Sequence, residues 1–448
     1  MHRIVRRVLW LEPLWIVLVA PSILLRDFLW DPWVQPWIVA ALFLFWPLRW
    51  WHTRRLVPPT PMNRPLALLL LWLPVTLWAS NDTERSWAAL GYLVLGIALY
   101  LALLNWPPTQ HYPCLLVAAI GAIGLALAMT GPALLASIPT KIFIFSDELM
   151  QSKPVDLFGS GETINSNVLA GALLLPSLVL GALGLRWDWR PAGWVGWILP
   201  PLLGAAASFM LATLLLTQSR GAYLAVLVGM LLLLLLRWPR AWIVLAVATV
   251  AALSVLAWEG ATFSAQAIDG GDSAASLSGR AEIWQYAFYA LLNFPLTGIG
   301  IGTFDQVMPL LFPDVENFSR HTISHAHNLV LQVGLDLGLP GLLAYGWLIM
   351  CAFQILINTL RLRGAEPSTA EPLLEETRHH HRRVSSRQKR RSALRWTLAA
   401  GLLAGLVGML VHGMVDAVLW DTRMAIIPWL LLALTALLSL SPGKASEQ

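Results

Sequence analysis

Two histidines one residue apart, His325 and His327, sit in the stretch HTISHAHNLVLQVGLDLGLPGLLAY that runs from His321 to Tyr345. Imidazole titrates near neutral pH, so a positioned histidine suits proton transfer. The plainer reading is a polar helix entry, with Asn328 as its cap and both histidines solvated. Other polar positions decide between the two. Thr217-Gln218-Ser219-Arg220-Gly221 reads as a tight turn between apolar runs. At the start of the next helix, Arg220 would add a guanidinium to unpaired helix N–H groups, which suits a phosphate. Snorkelling to lipid headgroups is the alternative, but so short a turn leaves the side chain little room to move. Ser278-Gly279-Arg280 opens a segment with Ile283, Trp284, Ala287, Phe288 and Leu291 at helical spacing. It reads as an amphipathic helix on the outer leaflet with Ser278 as N-cap. Arg280 falls in its first turn, where a cation gains nothing from the helix dipole, so something else needs it there. Gly298, Gly300 and Gly302 then read as a turn that lets backbones approach closely. His412 and Asp416, near the end of a late apolar run, are ionisable groups at membrane depth, where they face a cavity or a partner. Asp416 either pairs with an arginine, orients a histidine, or serves a merely structural ion pair.

The elements that must hold these residues are membrane helices. Of 448 residues, 57% are hydrophobic and 12% charged, too little charge to cover a soluble protein of this length. Mean hydropathy is +0.65. Twelve spans are expected, at about 8–25, 33–51, 65–80, 87–105, 112–136, 164–184, 194–217, 220–236, 241–258, 335–360, 395–416 and 424–440. Tryptophans such as Trp10, Trp15, Trp33, Trp46 and Trp51 sit at the edges of the first two, where indole favours the interface. Arginines collect in alternate segments: Arg3, Arg6 and Arg7; Arg49, Arg54, Arg55 and Arg64; Arg186 and Arg190; Arg237 and Arg240; and the basic loop 361–395. The long loop 259–328 carries Glu259, Asp269, Asp272, Glu282, Asp305, Asp314 and Glu316 against only Arg280 and Arg320. By the positive-inside rule both termini are cytoplasmic and the acidic loop faces outward. The expected organisation is spans one to nine over 1–258, an outer-face segment with the amphipathic helix and histidine motif over 259–334, and the last three spans over 335–448.

The net charge of +5 lies in those loops and marks topology rather than nucleic acid. The two cysteines, Cys114 and Cys351, lie in separate apolar runs and form neither a disulfide framework nor a metal site. His321, His325 and His327 lack a matching carboxylate or thiolate at zinc spacing. Asp314-Val315-Glu316 is a weak acidic clamp in an acidic loop. His379-His380-His381 belongs to a basic stretch that reads as a mobile loop near anionic headgroups.

His327-Asn328, nine residues, then Gly338-Leu339-Pro340-Gly341 resembles a pattern of the O-antigen ligase and polymerase superfamily of bacterial inner-membrane proteins. The Ser219-Arg220-Gly221 turn, the Ser278-Gly279-Arg280 helix with Pro295 and the glycine turn, and Asn165-Ser166-Asn167 before a span are similar to further family features, in the family's order. The resemblance covers about 160–345. It implies an all-α, GT-C-like fold of about 12 membrane helices and a glycosyltransferase on the outer face of the inner membrane. The donor would be an undecaprenyl-diphosphate-linked glycan, and the acceptor a lipid A-core hydroxyl for a ligase or a second lipid-linked glycan for a polymerase. No nucleotide sugar, metal or other cofactor is implied. Carried over, Arg220 and Arg280 would hold the diphosphate, and His327 would take the acceptor proton in an inverting attack. His325, Asn328, His412 and Asp416 would line the substrate site. The motif favours His327 as base, with His325 the alternative. A transporter or flippase is the rival reading; it predicts midplane sites and repeat symmetry, and neither is visible in the sequence.

Overall fold

The computed structural model describes residues 2–25, 31–135, 164–185, 188–191, 193–238, 240, 242–243, 277–315, 318, 323–362, 375–420 and 422–440. Among them every regular element is a helix, with one isolated β-bridge joining Leu135 to Ile164. The helices are α1 (His2–Leu9), α2 (Glu12–Leu24), α3 (Gln35–Ala41), α4 (Trp46–Thr53), α5 (Asn63–Ala79), α6 (Thr83–Asn105), α7 (Pro107–His111) and α8 (Cys114–Leu134). They continue with α9 (Ser166–Leu185), α10 (Val195–Leu216), α11 (Arg220–Arg237), α12 (Leu277–Asn293), α13 (Phe304–Leu311), α14 (Leu329–Arg361), α15 (Glu375–Gly413) and α16 (Ile426–Ser439).

Eight helices among the described residues are long and apolar enough to cross a membrane, and Asn63–Ala79 and Arg423–Ser439 are shorter apolar helices. The protein is an all-α polytopic membrane protein. The expected span at 33–51 is broken: α3 ends at Ala41, turns follow, and α4 restarts at Trp46 with Pro47 in its first turn, where a missing N–H costs nothing. The span at 241–258 lies almost wholly outside the described residues. The basic stretch expected as a mobile loop is instead helical from Glu375, continuous with the span that ends at Gly413. Arg49, counted as a loop charge, is buried in an ion pair with Glu12, while Arg49 Nε and Glu12 Oε1 are left without hydrogen-bond partners.

Helices α6 and α9 are apolar on all sides and buried along nearly their whole length, as the centre of a bundle requires. Around α6 pack α2, α3 and α16; around α9 pack α8, α10, α11 and α15; α14 touches α5, α12, α15 and α16 and so joins the two groups. A second, smaller apolar cluster lies apart from this core. It is built by Ile283, Ala287 and Leu291 of α12 with Phe304, Met308, Phe318 and Leu335. Phe288, expected on the apolar face of a helix on the outer leaflet, is half exposed, while Ile283, Ala287 and Ala290 face inward. Ser278 falls inside α12, whose first residue borders undescribed chain.

The glycine turn and the helix break explain each other. Helix α14 is interrupted at Gly338, with φ 67° and ψ 180°. The break leaves backbone groups without helical partners. Leu335 O accepts from Ile299 N at 2.7 Å, and Leu339 N donates to Pro295 O at 2.7 Å. Gly298, Gly300 and Gly302 all have positive φ, so the turn wraps the break with backbone against backbone. This docking fixes the N-terminal half of α14, the half that begins at the histidine motif.

Candidate active site

Asn328 starts α14. Its side-chain oxygen accepts from Val330 N and Leu331 N, and its amide donates to Met414 O at 3.0 Å, so one residue caps the helix and ties it to the end of α15. His327, just before it, has φ 48°, a left-handed conformation that a non-glycine residue adopts only when its surroundings impose it. Trp284 of α12 donates to His327 O at 3.2 Å.

Asp416 lies three residues beyond the end of α15 and is 2% exposed. Its Oδ1 accepts from His325 Nε2 at 2.7 Å and from Ala417 N at 2.9 Å; its Oδ2 accepts from Asn167 Nδ2 at 2.7 Å. His327 Nδ1 lies 3.4 Å from the same Oδ1 and is buried without a hydrogen bond. The two imidazoles are 4.3 Å apart between ring centres. With Nε2 donating to the carboxylate, His325 Nδ1 is left to accept from Ser324 Oγ at 2.8 Å. Both nitrogens of His325 are therefore engaged, whereas His327 keeps Nε2 for chemistry.

The electrostatics join the arginines to this group. Arg280 is half-buried, and burial pulls its guanidinium below the usual range; Asp416 opposes that shift and Arg220 adds to it. Burial likewise holds the His327 imidazole below its ordinary value, more strongly than Asp416 raises it, with His325 and Arg280 adding to the lowering. Burial works to raise the Asp416 carboxyl, but the His325 hydrogen bond and the nearby His327 imidazole outweigh it and hold the group well below the usual carboxylate range. Arg220 begins α11, is exposed, and follows a turn whose Gln218 has φ 51°. His412 is 2% exposed and packs beside Gly171 and Gly221, its Nε2 without a partner.

The structure thus brings His325, His327, Asn328, His412 and Asp416 into one cluster, with Arg280 and, through it, Arg220 in its field. A carboxylate, two imidazoles and two guanidiniums at one end of a helix bundle can transfer a proton and neutralise an anion. His325, His327 and Asp416 also offer three donor atoms within 4.8 Å of one another, a grouping that could hold a metal ion. The missing carboxylate for a histidine metal site comes from Asp416, 91 positions from His325. Asp314 is exposed, while Glu316, Arg320 and His321 lie outside the described residues.

Sequence reasoning gave Asn167 only as part of a family feature, without a partner. It passed over Gln332, Asp336 and Trp420 entirely. Asp336 is fully buried; Oδ1 accepts from Gln332 Nε2 at 3.0 Å and from Gly302 N at 3.3 Å, and Oδ2 accepts from Trp420 Nε1 at 2.7 Å. An acidic residue inside an apolar span was the signal that could have found it.

Residues 205–346, about a third of the chain, match the family model described as O-antigen ligase. The matched stretch holds Arg220, Arg280, His325, His327, Asn328 and the Gly338 break; Asn167, His412 and Asp416 lie outside it. No curated protein matches the chain.

Proposed function

We propose that this chain, which carries a domain of the O-antigen ligase and polymerase superfamily, transfers a glycan from an undecaprenyl-diphosphate carrier to an acceptor hydroxyl. The observation that carries the reading is the shared electrostatic neighbourhood of Arg280, Arg220, Asp416 and His327. The acceptor O–H gives its proton to His327 Nε2 while its oxygen attacks the anomeric carbon. The bond from that carbon to the diphosphate oxygen breaks, inverting the centre, and the leaving diphosphate keeps the electron pair. Arg220 and Arg280 receive its charge, so the step asks for no metal ion. Asp416, 3.4 Å from His327 Nδ1, orients the ring and stabilises the imidazolium once it forms. The resting distance is long for a hydrogen bond, and such contacts tighten when substrate binds. The site works on the outer face of a bacterial inner membrane, with both termini cytoplasmic, a reading supported by the alternation of arginine-rich and acidic segments along the chain.

Lipid A-core makes the protein a ligase; a second lipid-linked glycan makes it a polymerase. Purified protein in lipid nanodiscs, given a lipid-diphosphate-linked oligosaccharide and each acceptor in turn, separates the two by the mass of the product. Transfer in one arm, abolished in His327→Ala and Arg280→Ala proteins that still insert and fold, is the expected result. Unchanged product from His327→Ala would remove its role, and absence of transfer from every donor by folded protein would remove the reading.

A further inference from the structure

Asp336 and Gln332 are buried without any exposure inside α14, behind the histidine motif rather than beside the Asp416 cluster. Gln332 has its two amide atoms divided. Its Nε2 donates to Asp336 Oδ1 at 3.0 Å, and its Oε1 accepts from Ala326 N at 2.8 Å. Ala326 is the residue between the two histidines. Asp336 in turn collects Gly302 N from the glycine turn and Trp420 Nε1 from the segment that carries Asp416. Its own carbonyl accepts from Thr76 Oγ1 of α5, and that hydroxyl accepts from Ile301 N at 3.0 Å. The glycine turn, α5, the Asp416 segment and the histidine loop are therefore bonded, directly or through one side chain, to a single residue.

The polarity of this chain is forced. A carboxylate only accepts, so Gln332 must turn its amide nitrogen toward Asp336. Its oxygen then faces the other way and can only receive a donor, and Ala326 N is that donor. The unusual left-handed backbone at His327 follows one residue later. An apolar residue at 336 would fill the space at less desolvation cost; what it would lack is this directionality.

We propose that Asp336 and Gln332 are positioning residues for the His325-Ala326-His327 loop: the carboxylate orients the amide, and the amide holds the loop so that His327 meets the acceptor. The proposal rests on the transfer reading for its kinetic arm alone. Displacing a reacting group by about 1 Å costs on the order of 100-fold in rate, so turnover is where the effect concentrates. Donor binding, which falls to Arg220 and Arg280, changes little.

The test is a polarity swap. Gln332→Glu sets a carboxylate against the Asp336 carboxylate, and Asp336→Asn sets an amide nitrogen against a donor, either Trp420 Nε1 or, flipped, Gln332 Nε2 and Gly302 N. The double variant Gln332→Glu/Asp336→Asn selects the flipped amide, whose nitrogen faces the carboxylate introduced at position 332 while its oxygen accepts from Trp420 Nε1; that carboxylate still accepts from Ala326 N, and Gly302 N is left facing a donor. Gln332→Glu is expected to lower kcat by about 10–100-fold with donor KM within about threefold, Asp336→Asn to lower it less, and the double variant to recover part of what Gln332→Glu loses. Hydrogen–deuterium exchange on the same proteins reads the loop without any substrate. The Ala326 amide should exchange faster in Gln332→Met than in wild type, at matched thermal stability, and stay near wild type in the double variant, where the carboxylate at position 332 accepts from it. Faster exchange without any transfer by wild type would retain the positioning role and reject the transferase reading. Wild-type exchange at Ala326 in Gln332→Met, or a double variant no better than the worse single one, would overturn the positioning role itself.

Discussion

Replacing Gly338 by alanine should unfold the site from behind. Gly338 sits at φ 67° and ψ 180°, a region that is essentially glycine's alone, so alanine there carries roughly 1–3 kcal/mol of backbone strain. A Cβ would also stand 2.1 Å from Leu296 O and 2.5 Å from Leu296 C. Those are backbone atoms, and the glycine turn must retreat to admit it. Retreat breaks Ile299 N to Leu335 O and Leu339 N to Pro295 O, and each buried group left unpaired costs about 1–3 kcal/mol. Strain plus one or two lost bonds comes to about 2–9 kcal/mol, a span that reaches past the roughly 4–5 kcal/mol that is exceptional for a single substitution. Gly346 of the same helix is the control. An added Cβ there meets nothing within 4 Å, and glycine to alanine inside a helix is worth about 0.5–1 kcal/mol of stabilisation. Both variants are purified in one detergent and unfolded with tryptophan fluorescence as the readout. Gly338→Ala should lose most of its folded fraction while Gly346→Ala matches or exceeds wild type. A Gly338→Ala protein within about 0.5 kcal/mol of wild type, inside the span of ordinary surface changes, would refute the argument that the break and the turn depend on each other.

Asp416→Asn removes the charge behind His327 with little change of shape, and Asn167 can turn its amide to suit; kcat should fall by about 10²–10⁴-fold, the contribution of a properly oriented base, and turnover within about threefold of wild type would dismiss the carboxylate. Burial lowers the His327 value, so the imidazole stays neutral at pH 7 and activity is lost only as pH falls through a point below the ordinary 6.5. A kcat/KM profile whose acid limb lies at or above 6.5 would contradict that sign. In the Asp416→Asn protein the limb moves lower still, because the opposing charge is gone. Turnover should persist in a chelator; loss that a divalent ion restores would assign the His325, His327 and Asp416 grouping to a metal instead.

Much of the site was legible because its signals are local. Arg220 at a helix start, Asn328 as a cap and three glycines in a turn each follow from the preferences of a few neighbouring residues, whereas the break at Gly338 falls inside a span expected to be continuous. Hydropathy likewise places helices over ten of the twelve expected spans, since an apolar run long enough to cross a membrane needs no partner to declare itself. It failed where composition and backbone disagree: the run at 33–51 is apolar, yet it breaks into α3 and α4. The basic stretch after Glu375 looks like a loop by charge, yet it continues a helix.

What the amino-acid order determined alone was the kind of protein, an all-helical membrane chain, and the short motifs that could bind phosphate or move a proton. Tertiary structure alone decided the pairings. Asp416 meets Asn167 across 249 positions and His325 across 91, and Asp336 meets Trp420 across 84. Such partners leave no periodic trace, because a hydrogen bond between distant segments depends on which helices pack together. That choice is made by the whole bundle.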